Sequence, residues 1–232
     1  MVWQGGLPVA GLRPIWLAVL ALTLAPSGHA AAQQQPAVTA AASSSATAAA
    51  EPDGRVIRHS VVVPAPLAEV WQAWTTRDGV RSFFAPEAVI DARPGGAFQI
   101  QFDPLAEPGA RGADEMRYMA LQPMRMLSFD WNAPPHLPEA RAQRTFVLLH
   151  FEPVDATHTR VRLLHSGWGE GGQWDQAHAY FSRAWGNVLA NLVKRFEQGP
   201  IDWTAWMEGL RSYHAQQAAK AKAAAGAASG PR

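Results

Sequence analysis

Hydrophobic positions along this chain change their spacing, and the changes mark its elements. From Trp174 to Phe196 they recur at three- and four-residue steps (Trp174, Phe181, Trp185, Val188, Leu192, Phe196). That spacing puts them on one stripe of a helix of about six turns. Asp175 near its start and Lys194 and Arg195 near its end complement the helix dipole, and Gly199-Pro200 stops it. Before this helix the period is mostly two. Val56–Val63 is β-branched-rich and reads as a strand ended by Pro64 and Pro66. Leu67–Thr76 reads as a helix with Leu67, Val70, Trp71 and Trp74 on one side. Asp78-Gly79 turns it into a short helical piece carrying Val80, Phe83 and Phe84. Ala88–Ala92 is strand-like, and Arg93-Pro94-Gly95-Gly96 fits a tight turn. Phe98, Ile100 and Phe102 then alternate with Gln99 and Gln101.

After a loop from Asp103 to Gly112, four more strands are expected at Glu115–Leu121, Met126–Trp131, Arg144–Phe151 and Thr159–Ser166. The order is strand, two helices, six strands, one long helix. An antiparallel sheet with the long helix across its concave face satisfies it, because only one sheet face then needs cover. The expected class is α+β.

The ends differ from this middle. Met1–Ala32 has the form of a signal peptide: Arg13 in the n-region, an apolar stretch from Ile15 to Ala25, and small residues at Ala30-Ala31-Ala32. The apolar stretch is about half of the ~20 residues that span a bilayer. The expectation is therefore an exported protein, periplasmic or secreted, with no stable membrane span after cleavage. Gln33–Gly54 is Gln/Ala/Ser/Thr-rich and reads as a disordered linker. The domain proper is expected at Arg55–Gly199. In Pro200–Arg232, Asp202 is a plausible cap for a short amphipathic helix bearing Trp203, Trp206, Met207 and Leu210. That helix should fade into a frayed Ala/Lys-rich tail. Its aromatic pair reads either as extra core cover or as a lid over a cavity mouth.

Composition narrows the function classes. The 232 residues carry a formal net charge of +1, no cysteine and ten tryptophans. Nothing advertises a nucleic-acid partner, and thiol catalysis, disulfides and thiolate metal sites are excluded. No nucleophile elbow, P-loop or zinc-protease spacing is present. No cofactor or metal set is legible.

His165 is the residue of most chemical interest. Alternation with Val161 and Leu163 points it at the helix-covered face, where it could be an acid/base group or a hydrogen-bonded core histidine. His59 alternates with Ile57 and Val61 and could face the same interior. Asp103 and the Asp114-Glu115 pair read as solvated loop carboxylates, and Arg144, Arg160 and Arg162 as a solvated basic edge.

Several stretches carry a family resemblance. They are Pro64-Ala65-Pro66 with Val70-Trp71, the Arg93–Gly96 turn, Phe151-Glu152-Pro153 and His165-Ser166-Gly167-Trp168. The runs Tyr180-Phe181 and Trp185-Gly186-Asn187-Val188-Leu189 complete the set. Together they cover nearly all of Val56–Gln198. The chain resembles the START-like superfamily (SRPBCC group, helix-grip fold), in the branch of homologues of the heat-shock-protein-90 ATPase activator. It departs from many relatives in carrying Phe83-Phe84 where they have a tryptophan, and in its two ends.

The resemblance implies a cavity between the long helix and the sheet that takes a small hydrophobic or aromatic ligand, without turnover. Trp74, Phe84, Phe98, Tyr118, Trp131, His165, Trp168, Phe181 and Trp185 would line it, with His59, Tyr118 and His165 as its polar groups. Two other readings follow from relatives. One is a cyclase- or hydratase-like enzyme using His165 or His59. The other is a co-chaperone of heat-shock protein 90, which the expected export opposes.

Overall fold

The computed structural model describes residues 55–228. The expected signal peptide and the whole of the expected linker lie outside the described residues. Among those that are described, no helix is long and apolar enough to cross a membrane.

Thirteen elements follow one another among the described residues. β1 (Ile57–Val63) leads into α1 (Leu67–Thr75) and α2 (Arg77–Arg81). Pro66 precedes α1 in extended conformation, and the Thr76 hydroxyl caps α2 by accepting from the Gly79 N–H at 3.0 Å. β2 (Glu87–Ile90), β3 (Phe98–Gln101) and β4 (Gly112–Ala113) come next, then β5 (Tyr118–Gln122) and β6 (Met126–Trp131). The short helix α3 (Pro138–Arg141) precedes β7 (Thr145–Pro153) and β8 (Thr159–Ser166). α4 (Gly172–Gln198) is the long helix, and α5 (Thr204–Ala228) closes the chain. The β2–β3 turn has Gly95 at φ +77°, the conformation its sequence required. α4 ends at Gly199, φ +95°, whose N–H returns to the Arg195 carbonyl.

All strand pairs are antiparallel, with β1-β8-β7-β6-β5 in one five-stranded sheet and β2-β3-β4 in a three-stranded one. The expected single sheet is thus divided into two ladders. They meet where Ala97 bridges Arg117 and where Tyr118 N–H donates to the Gly96 carbonyl. The α+β helix-grip architecture is as expected: α4 lies over the inner face of the large sheet and presents Phe181, Trp185, Leu189 and Leu192, all buried.

Two residues on the expected stripe sit differently. Leu189 is buried while Val188 is half-covered. Trp174, in the first turn of α4, leaves the main core and packs with Ala133, Leu137, Ala140 and Ala177 in a satellite cluster. α3, unforeseen, provides that cluster's other wall. The C-terminal helix is also longer than expected. It runs to Ala228 as one helix, with Ala215–Ala225 exposed, consistent with the helix propensity of alanine.

Candidate functional site

β8 places Val161, Leu163 and His165 inward, opposite Phe151, Leu149 and Val147 of β7. His165 is fully buried, and both ring nitrogens are engaged. Trp185 Nε1–H donates to Nδ1 at 2.8 Å, and Nε2 lies 2.7 Å from Thr145 Oγ1. An indole only donates, so Nδ1 is the acceptor and the proton sits on Nε2. Thr145 then accepts from Nε2–H and passes its own hydroxyl hydrogen to the Trp131 carbonyl at 3.1 Å. Burial, with a smaller contribution from nearby His178, lowers the His165 pKa to about 3. The ring is neutral near pH 7, with no nitrogen open to a substrate.

The other two expected polar groups are also engaged. The Tyr118 hydroxyl donates to the Trp74 carbonyl at 2.7 Å, and burial pushes its pKa above the ordinary phenol value. His59 faces α4 from β1, with Nε2 3.1 Å from the Ser182 carbonyl.

Around this hub the aromatic set comes together. Trp74, Phe84, Phe98, Tyr118, Trp131, Phe181 and Trp185 are buried, and Trp168 packs against them partly covered. Trp168 donates its indole N–H to the His165 carbonyl at 3.0 Å and holds its ring 4.2 Å from the imidazole. Phe84 stands at the centre. It stacks on Trp131 at 6.0 Å and meets Trp74, Trp185 and Phe102 edge-on, each at 5.8 Å. Phe98 links Tyr118 and Phe129 at 4.9 and 4.1 Å.

Sequence reasoning missed the groups with unused capacity. Trp74 Nε1 and Trp131 Nε1, with Arg55 Nε, are the buried side-chain polar atoms lacking a hydrogen-bond partner among the described residues. Both indoles flank Phe84, in residues 0% and 3% exposed. Leaving a buried donor unmet costs about 1–3 kcal/mol, so two in one aromatic cluster need a reason. No sequence signal distinguishes them from the partnered indoles of Trp168 and Trp185, since the distinction is purely geometric.

The remaining candidates lie elsewhere. Asp114 is buried rather than solvated. It accepts from Gly112 N–H at 3.1 Å and lies 3.5 Å from Arg141, whose guanidinium also reaches the carbonyls of Ala133, Gly109 and Gly112. Burial lowers the Arg141 pKa; the cluster is a structural clamp with its donors spent. Asp103 is bound by His214 at 2.8 Å. Arg160 and Arg162 pair with Glu152, whereas Arg144 reaches Asp130 and Glu115, so no single basic edge forms. Among the described residues no group of three or more His, Cys, Asp or Glu could hold a metal. A cleft of about 650 Å³ opens on the outer side of α1 and α2, between Glu69, Asp78, Arg81 and Arg195, with Phe196 and Trp203 against it. Its charges alternate in sign and concentrate nothing.

A model of the family Activator of Hsp90 ATPase homolog 1-like protein matches residues 64–197. Protein MLL2253 from Mesorhizobium loti is similar in structure over 63% of this chain and 99% of its own, at 18% identity and a TM-score of 0.50. The Aha1 dimer from Colwellia psychrerythraea is similar over 62% and 97%, at 22% identity and 0.48. CalU16 from Micromonospora echinospora is similar over 68% and 82%, at 21% identity and 0.46. At these identities the first likeness speaks for the fold alone, and the two below 0.5 add nothing to it. No curated protein matches the chain.

Proposed function

This chain belongs to the Activator of Hsp90 ATPase homolog 1-like family, and from that premise we propose that it binds a small, neutral, apolar or aromatic molecule between α4 and the sheet. The ligand carries an acceptor oxygen that takes the indole N–H groups of Trp74 and Trp131. Family membership supplies the fold and no activity. The observation behind this reading is the pair of unpartnered indole donors beside Phe84, inside an aromatic cluster whose other polar side chains, Tyr118 and His165, are already hydrogen-bonded. A site of that kind, apolar with a few fixed polar groups, suits an aromatic ketone, lactone or similar molecule. A charged ligand does not suit it, because burying an unpaired charge among aromatic rings is costly.

Turnover is not part of the proposal. General acid/base work requires a group that titrates near the working pH and reaches the substrate. His165 meets neither condition, with both nitrogens bonded and its pKa near 3. The signal-peptide features of Met1–Ala32 further support binding in the periplasm or outside the cell. Native mass spectrometry of the protein purified from the envelope tests both parts. The expected spectrum shows a chain lacking about the first 32 residues and a bound neutral mass that is lost on activation. A full-length chain in the cytosolic fraction rejects export. Absence of any adduct, together with no thermal shift across a library of neutral aromatic carbonyl compounds, rejects binding.

A further inference from the structure

α5 begins at Thr204, beyond the family-matched stretch that ends at residue 197. The chain nevertheless ties it to the domain through two separate edges. On one edge, Ile201 N–H donates to the Ser82 carbonyl at 2.9 Å and Trp203 Nε1–H to the Arg81 carbonyl at 2.6 Å. On the other, Trp206 Nε1–H donates to the Phe102 carbonyl at 2.8 Å, and His214 Nε2 lies 2.8 Å from the Asp103 carboxylate. Met207 and Leu210 are half-covered, whereas the turns from Ala215 to Ala225 are exposed. These anchors lie at the start and in the first half of the helix.

The two edges flank one side chain. Arg81 and Ser82 lead directly into Phe83-Phe84, and Phe102 meets Phe84 edge-on at 5.8 Å. Contact between Phe84 and Phe102 closes this seam from within, while α5 bridges it from without. The outer cleft lies along it, with Arg81, Ser82, Ile201 and Trp203 among its lining. Behind Phe84 lie the unpartnered donors of Trp74 and Trp131.

We propose that α5 is a displaceable strap. Its hydrogen bonds to Arg81, Phe102 and Asp103 hold the seam between α2 and β3 shut, and its release lets Phe84 move and opens the way to Trp74 and Trp131. The purpose of such an opening rests on the ligand-binding reading; the movement itself does not. The strap's anchors are few and lie near the surface, where local opening requires far less than global unfolding. The interior hub is anchored differently, since Trp185 donates to His165 and lies on the α4 side of the cluster.

Hydrogen exchange of the indole N–H groups, followed by NMR on the mature chain without ligand, tests this. Trp203→Phe/Trp206→Phe keeps aromatic bulk and removes two of the strap's donors. Exchange at Trp74 and Trp131 should accelerate by about tenfold or more, since a lost hydrogen bond of ordinary strength corresponds to roughly that factor. Exchange at Trp185 should not change. Unchanged exchange at Trp74 and Trp131 overturns the proposal. Should the double variant loosen the whole domain and accelerate Trp185 equally, His214→Ala, which leaves both rings in place, must still show the selective effect; its absence there also overturns the strap. Because no ligand enters this experiment, its failure is distinct from failure of the binding reading.

Discussion

Trp185 Nε1–H donates to His165 Nδ1 at 2.8 Å, joining the middle of α4 to the end of β8 through two buried rings. The bond fixes the tautomer of His165 and, through Thr145, orders a chain of donors ending at the Trp131 carbonyl. A satisfied buried network of this kind specifies one packing arrangement.

The first consequence is a pH dependence of stability. The folded-state pKa of His165 is lowered to about 3, against about 6.5 when unfolded. The unfolded chain therefore binds an extra proton between these values. The stability due to the neutral ring is fully present above pH 6.5 and is lost as pH falls towards 3. The slope is about 1.4 kcal/mol per pH unit, or about 2 kcal/mol between pH 6.5 and 5. Urea unfolding of the wild type and His165→Gln across pH 7.5–4.5 should show this slope in the wild type and its loss in the variant. Parallel profiles would contradict the assignment.

Trp185 itself is core in this structure, 1% exposed and in ring contact with Phe84, Phe129, Trp131, His165 and Phe181. Trp185→Ala should cost about 3–5 kcal/mol. Trp185→Phe keeps most of the packing but strands His165 Nδ1, and should cost about 1–3 kcal/mol. Urea midpoints on the two variants check the order. A Phe variant as stable as the wild type would mean that the bond contributes nothing.

One position inside α4 can be improved. A Cβ at Gly186 would meet only His59, at 3.5 Å from Cε1, which is ordinary van der Waals contact. Gly186→Ala should thus raise stability by about 1 kcal/mol, seen as a higher urea midpoint with an unchanged slope. A lower midpoint would show that His59 needs the space.

The fold was legible where local pattern decides it. The α4 stripe at Phe181, Trp185 and Leu192, the alternation around Phe98 and Ile100, and the stop at Gly199 survive in the structure, because burial on one face imposes the period. What escaped the sequence depends on partners far along the chain. Asp114 looks like a loop carboxylate until Arg141 arrives from α3, and α3 is only four residues long, signalled by Pro138 at its first position. β4 has two residues and exists only because β3 pairs with it. The same holds for the site. Inward placement of His165 follows from alternation, but Thr145 meets it diagonally across β7 and β8, a relationship visible only once Val147 is known to pair with His165. The unpartnered state of Trp74 and Trp131 has no sequence signature at all.

The binding proposal is tested most directly at those two indoles. The ligand-free protein is titrated with benzophenone, and in parallel with diphenylmethane, which has the same rings and no acceptor oxygen, while the indole N–H resonances are followed by NMR. The ketone should move the Trp74 and Trp131 resonances downfield together along one saturating curve. The hydrocarbon should bind more weakly and produce no such downfield movement, and Trp185, already bonded to His165, should stay in place with both. If the Trp74 and Trp131 resonances do not respond to the ketone, or respond equally to the hydrocarbon, these donors do not serve a ligand and the proposed site is wrong.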